Sequence, residues 1–122
     1  MNFTETELQV GSELLKGATD DKGFFFIDNY FRRYSSYDES YYIQKKVKRE
    51  GYYITHIHSG ILLVPFIFDT EVYAKIFVER LAGLQDSFFD WREKNDKYIF
   101  LTEDSGAILH RIYNALIIEE GK

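Results

Sequence analysis

His56 and His58 stand two residues apart in Tyr52 to His58, a stretch whose residue types predict a β-strand. On a strand, positions i and i+2 share a face, so two imidazoles at this spacing could converge on one metal ion. His110, on a predicted helix, is the only other histidine and the candidate third ligand. No acid sits at diagnostic spacing from the pair. The plainer expectation is two imidazoles on the wet face of a strand, with no resident metal or cofactor. Ser59, His56 and Asp69 together hold the residue types of a hydrolytic triad, but any chain of this size offers such trios. No nucleophile elbow, phosphate loop or glycine fingerprint accompanies them.

A second set combines Asp28 with Gln44, Lys45 and Lys46. Asp28 follows the short run Phe24 to Ile27, and the other three lie inside a second predicted strand. The order of elements and this Asp-plus-Lys pair resemble the metal-dependent nucleases of the PD-(D/E)xK type over about half of the chain. That resemblance implies Mg²⁺ held by carboxylates and a water oriented by Lys46. Gln44 stands where the family has an acid, and a neutral amide is a poorer ligand. A solvated strand face explains Lys46 and Lys48 equally well.

A third set is basic and aromatic. Residues 29–51 carry six Lys or Arg against three acids. Arg32, Arg33, Tyr34, Tyr37, Tyr41, Tyr42, Lys45, Lys46, Lys48 and Arg49 have the types that stack on bases or anchor protein interfaces. A fourth set is acidic: Asp20, Asp21, Asp86, Asp90, Glu93, Asp96, Glu103, Asp104, Glu119 and Glu120 fall near predicted loops and helix ends. Acids at helix starts complement the helix dipole, which accounts for Asp69, Glu71, Asp86 and Asp104. It leaves Glu119 and Glu120, at a predicted helix end, unexplained.

The chain that must position these residues has 122 of them, with a net charge of −5. That balance argues against a general nucleic-acid binder, whose footprint is basic. Aromatics are 18% of the residues and hydrophobics 45%, enough to fill a real core in one domain spanning residues 1–122. There is no cysteine, so disulfides and thiolate chemistry are excluded. Met1 to Glu7 is polar and acidic, unlike a signal peptide. The longest apolar run, Ile61 to Phe68, is too short to span a bilayer. A cytoplasmic location, with no membrane association, is the default expectation.

Element by element, Thr4 and Glu7 form a capping box with Phe3 and Leu8 at the staple positions, predicting a helix to about Lys16 with Gly17 as its stop. Phe24 to Ile27 suits a strand buried on both faces. Tyr30 to Ser40 reads as irregular. Tyr41 to Arg49 largely alternates, Glu50-Gly51 reads as a tight turn, and Tyr52 to His58 returns. Ser59-Gly60 makes a second turn into Ile61 to Phe68, where Pro65 forces an edge, a bulge or a break. Asp69-Thr70 caps a helix that Gly83 stops. Asp86 or Ser87 starts a short helix through Trp91 to Glu93. Tyr98 to Leu101 is a last strand, and Asp104 or Ser105 caps a final helix with Ile108, Leu109, Ile112, Tyr113 and Leu116 facing inward.

The fold class is α+β: a mostly antiparallel sheet with a central three-stranded meander, N- and C-terminal helices, and one or two middle helices packed on it. The function expected is that of a binding module rather than an enzyme, namely an inhibitor or immunity (antitoxin-type) protein that blocks a basic toxin enzyme such as a nuclease. Bacterial nuclease inhibitors are similar in size and acidity, without a shared motif. Its contacts would come from Asp86, Asp90, Glu93 and Asp96, anchored by Trp91, with Tyr42 and Lys46 beside them. The alternatives are a secretion-chaperone-like adaptor, a phage-encoded inhibitor, and a small metal-dependent nuclease. A monomer or a homodimer fits each.

Overall fold

The computed structural model describes residues 1–10, 13–37, 40–63, 66–87, 89–92 and 103–121. Five strands come first: β1 (Phe3–Val10), β2 (Glu13–Asp20), β3 (Phe25–Tyr37), β4 (Ser40–His56) and β5 (Ile61–Leu62). Helices α1 (Glu71–Ala82) and α2 (Glu103–Glu120) follow. The strands lie in chain order in one antiparallel sheet. The class is therefore α+β, as the sequence predicts. Among the described residues no helix is long and apolar enough to cross a membrane.

The expected N-terminal helix is instead the β1–β2 hairpin, with an unbroken register from Phe3↔Asp20 to Val10↔Glu13. The capping pattern lost because the span holds Gly11 in what would be the helix interior, at a cost of about 1 kcal/mol. Strand pairing also brings Leu8 opposite Leu15. Leu15 is then buried with Phe26, and Leu8 and Ile57 pack against them. Phe25 and Ile27 belong to the larger cluster that includes Phe77, Leu81 and Leu116 from the helices. The start of β3 is thus buried on both faces, as its four apolar residues predict.

The expected hairpin at Glu50-Gly51 is absent, and β4 runs through it. Asp28 pairs with Tyr53 and Tyr30 with Lys48, so the single residue Asn29 faces four residues of β4, 49–52. The glycine signal marks a bulge, not a turn. Gly51 has φ +107°, and a Cβ there would lie 2.8 Å from Ile67 Cγ2. At the bulge Tyr52 exchanges both backbone hydrogen bonds with Phe68, at 2.6 and 3.1 Å. Tyr30 to Tyr37, expected to be irregular, continues β3. The Ser59-Gly60 turn is present, with Gly60 N donating to His56 O at 2.8 Å. The meander is therefore β3–β4–β5. Its last strand is two residues long, not eight; Pro65 and the strand expected at Tyr98 to Leu101 lie outside the described residues.

Helix α1 starts at Thr70, whose hydroxyl accepts from Tyr73 N, and ends at Gly83. It buries Ala74, Phe77, Val78, Leu81 and Ala82, the i, i+3, i+4 stripe of an amphipathic helix. Helix α2 starts at Glu103, a residue or two before the expected cap, and buries Leu109 and Leu116. Ile108, Ile112 and Tyr113 pack against the same cluster, and Tyr113 Oη donates to Ile67 O at 2.9 Å.

The end of α2 closes on the start of α1. Glu120 Oε1 accepts from Asp69 N at 3.0 Å, and Oε2 accepts from Thr70 N at 3.3 Å and Thr70 Oγ1 at 3.2 Å. A carboxylate here satisfies donors that precede the first helical turn, where the helix dipole also favours negative charge. This explains an acid that the dipole of its own helix cannot. Glu120→Ala is expected to lower unfolding free energy by about 1 kcal/mol, the usual cost of a lost cap. Glu119→Ala, which leaves the Glu119 backbone acceptor of the Tyr73 hydroxyl in place, stays within about 0.5 kcal/mol of the parent. Urea unfolding of the two variants checks this.

Candidate functional site

His56 ends β4, opposite Phe25, and is fully buried. Its Nε2 meets the Trp91 backbone carbonyl, which can only accept, so Nε2 carries the proton. Its Nδ1 lies 2.7 Å from Ser59 Oγ and, in the neutral ring, accepts from that hydroxyl. Both nitrogens are thus committed within the protein. His58 is exposed, with its ring centroid 6.1 Å from that of His56. His110 packs edge-on against Phe66 at 5.0 Å, away from the pair. The shared metal site expected of His56 and His58 is not assembled. Among the described residues no group of three or more His, Cys, Asp or Glu is placed to hold a metal. The trio with Asp69 fails too, because the Trp91 carbonyl takes the ring nitrogen an acid would need.

Burial lowers the His56 pKa below its ordinary 6.5; the Trp91 carbonyl opposes this and the nearby His58 adds to it. The native state therefore holds the neutral ring, and the unfolded chain takes up the proton more readily. The His56 contribution to stability is complete above pH 6.5 and is lost as pH falls from there through the folded-state pKa. The slope is no steeper than about 1.4 kcal/mol per pH unit for one proton. Urea midpoints across this window are expected to fall with acidification in the parent chain. In His56→Gln that component of the slope disappears.

Two buried carboxylates lie elsewhere. Asp20 accepts from Lys22 N, Phe24 N and Phe25 N at 3.2, 3.0 and 2.7 Å. It ties the β2–β3 connection, a role the sequence reading missed. Asp followed by Gly23 three positions on is the turn signal that would have found it. Asp28 is buried opposite Tyr53, whereas Lys46 is opposite Arg32. Those positions are four residues apart on β3, roughly 13 Å at strand rise. Gln44 falls in a second register shift. The nuclease-like pair is therefore not brought together.

The acidic stretch from Asp86 is not the expected short helix. It is a run of turns containing a Gln85–Phe89 bridge, with Asp86 at φ +67°. Gln85 organises it: its amide nitrogen donates to Asp86 and Asp90 at 3.1 and 2.8 Å, and its oxygen accepts from Trp91 N at 2.7 Å. Arg92 forms ion pairs with Asp86 at 3.2 Å and Asp90 at 2.8 Å. Hydrogen bonds from Arg92 and then Gln85 hold the Asp90 pKa down to about 2. The two acids thus carry their own cation on the surface.

Trp91 corrects the reading most. It is fully buried, stacked on Phe89 at 4.4 Å and edge-on to Phe25 at 4.9 Å. Its indole N–H donates to Leu81 O at 2.7 Å. It anchors this loop to the core and offers no surface to a partner. Glu93 and Asp96 lie outside the described residues.

Tyr42 and Lys46 lie on a ribbon built by β3 and β4. The ladder partners of Tyr30 through Tyr37 all fall between Ser40 and Lys48. Arg32 is opposite Lys46, Arg33 opposite Lys45, and Ser35 opposite Tyr42. Strand pairing thus gathers four cations from two segments into adjacent register positions, which the linear sequence does not reveal. No family model matches the chain, and neither a curated protein nor a solved structure is significantly similar to it.

Proposed function

We propose that this chain is a small acidic protein-binding module of the inhibitor or immunity type, which neutralises a toxin enzyme such as a nuclease by covering its active site. The observation that carries this reading is the β3–β4 ribbon. A two-stranded ribbon is marginally stable by itself. Its ladder puts Arg32 in register with Lys46 and Arg33 with Lys45. A partner surface offsets that marginal stability. The ribbon sequence is rich in Tyr and Arg, the residues that dominate protein interfaces. A nuclease active site pairs metal-binding carboxylates with a basic surround that holds phosphate. Ribbon cations match the carboxylates. The acidic remainder of the chain, with eleven acids against seven bases in residues 69–122, matches the surround and speeds encounter.

The test is affinity capture from host lysate with and without EDTA, followed by an activity assay of whatever enzyme is retained. The expected result is a one-to-one complex with one basic enzyme, insensitive to EDTA, in which that enzyme is silent. Arg33→Glu with Lys45→Glu releases the enzyme and restores its activity. A captured enzyme that stays fully active in the complex contradicts the inhibitor reading. Retention of an unfolded export substrate would instead indicate the adaptor.

A further inference from the structure

Strand β1 stands at one end of the sheet, with β2 on its inner side. Among the described residues no strand pairs with its outer side. An edge of this kind presents backbone donors and acceptors in a row, and natural proteins usually guard it with Pro, charged side chains (Lys above all), a bulge or brevity. Here β1 is eight residues long, its register with β2 is unbroken, and its sequence, FTETELQV, contains neither Pro nor Lys. Thr4, Glu5, Thr6 and Glu7 are all exposed. What the edge does carry is a pair of carboxylates two positions apart, on one face of the strand.

Those carboxylates select the occupant. A second copy pairing antiparallel about Thr6 would set Glu5 opposite Glu7 twice, and like charges directly opposite repel. An extended segment with Lys or Arg at positions i and i+2 places a cation opposite each carboxylate while its backbone completes the ladder. We propose that the outer edge of β1 takes such a segment of a basic protein partner as an added strand, with Glu5 and Glu7 setting its charge pattern. The proposal rests on the protein-binding reading for the class of partner. It assigns the contact to an edge that the ribbon does not use.

The test is a titration of the isotope-labelled full chain with two blocked octapeptides, one alternating Lys with Thr and Val, the other with Glu in place of Lys. The expected result is binding of the Lys peptide, with amide shifts centred on Thr4 to Leu8. Glu5→Lys with Glu7→Lys is expected to weaken the Lys peptide by about tenfold or more and to favour the Glu peptide instead. Glu5→Gln with Glu7→Gln gives an intermediate affinity for the Lys peptide. Equal affinity for both peptides, shifts confined to other elements, or dimerisation of the chain through β1 overturns the proposal. The partner enzyme separates the two readings. A silent complex that survives the double Lys variant removes the edge proposal and leaves the inhibitor reading standing. Binding of the Lys peptide by a chain that captures no enzyme does the reverse.

Discussion

Trp91→Ala is expected to lower unfolding free energy by about 3–5 kcal/mol, the range for deleting a large buried aromatic. Domains of this size have about 5–15 kcal/mol in all, so this single change removes a large share of the stability. Trp91 joins three parts of the molecule. Its ring fills space between Phe89 and Phe25, its N–H satisfies Leu81 O near the end of α1, and its carbonyl fixes the His56 tautomer. Truncation leaves a cavity and removes the donor to Leu81 O. Trp91→Phe separates the two effects: it keeps most of the apolar volume and loses the hydrogen bond, so about 1–2 kcal/mol is expected. The chain has one tryptophan. Its emission in the parent is therefore a direct report of this junction, blue-shifted when folded and red-shifted with urea. If Trp91 were a partner anchor, Trp91→Ala would weaken binding without changing the urea midpoint. The buried geometry predicts the opposite order of effects.

The parts of the fold that were legible in the sequence are those where one signal dominated. Asp69-Thr70, the apolar stripe through Phe77 and Leu81, and Gly83 agree on one helix, and α1 is found there. The four apolar residues from Phe24 could only be accommodated in a strand covered on both sides. Where two signals competed, burial decided. Thr4 with Glu7 satisfies a capping box and an alternating strand equally well, and the pairing of Leu8 with Leu15 over Phe26 favoured the strand. Glu50-Gly51 fits a tight turn and a bulge alike. Only the close approach of Ile67 and the Tyr52–Phe68 bridge distinguish them, and both involve residues about sixteen positions away. The candidate site was less legible for the same reason. Glu120 and Asp20 act on backbone amides, Glu120 across the fold and Asp20 across a turn. Trp91 sits among the charged residues Asp90, Arg92 and Glu93, a local pattern that suits a surface anchor, yet the core takes the ring.

Gly17→Ala is expected to be the most damaging of the glycine substitutions, and a comparison of three glycines shows why. A Cβ on Gly17 would overlap the Ile27 carbonyl oxygen and lie 2.9 Å from Phe26 Cζ and 3.1 Å from Asp28 Cβ. Ile27 and Phe26 are buried parts of β3, so neither can swing aside. The direct pairing of β2 with β3 consists of Ala18↔Ile27 and Thr19↔Phe26 only. A shift large enough to admit a methyl therefore pries the β1–β2 hairpin from the sheet at its one seam. Overpacking of a buried site costs about 1–3 kcal/mol and occasionally more. The upper end is expected here, because the obstructing atom is backbone. Gly23→Ala has open space but a φ of +72°, so only the left-handed penalty of about 1 kcal/mol applies. Gly106→Ala, inside α2 with nothing within 4 Å of the added carbon, is expected to stabilise by about 0.5–1 kcal/mol. Urea unfolding of the three variants is expected to order them Gly17, Gly23, parent, Gly106. If Gly17→Ala falls at or above Gly23→Ala, the hairpin does not approach β3 closely at Gly17. The hairpin is also what holds Glu5 and Glu7 on a strand edge. Gly17→Ala is thus expected to abolish binding of the Lys-bearing peptide as well, whereas Gly106→Ala leaves it unchanged.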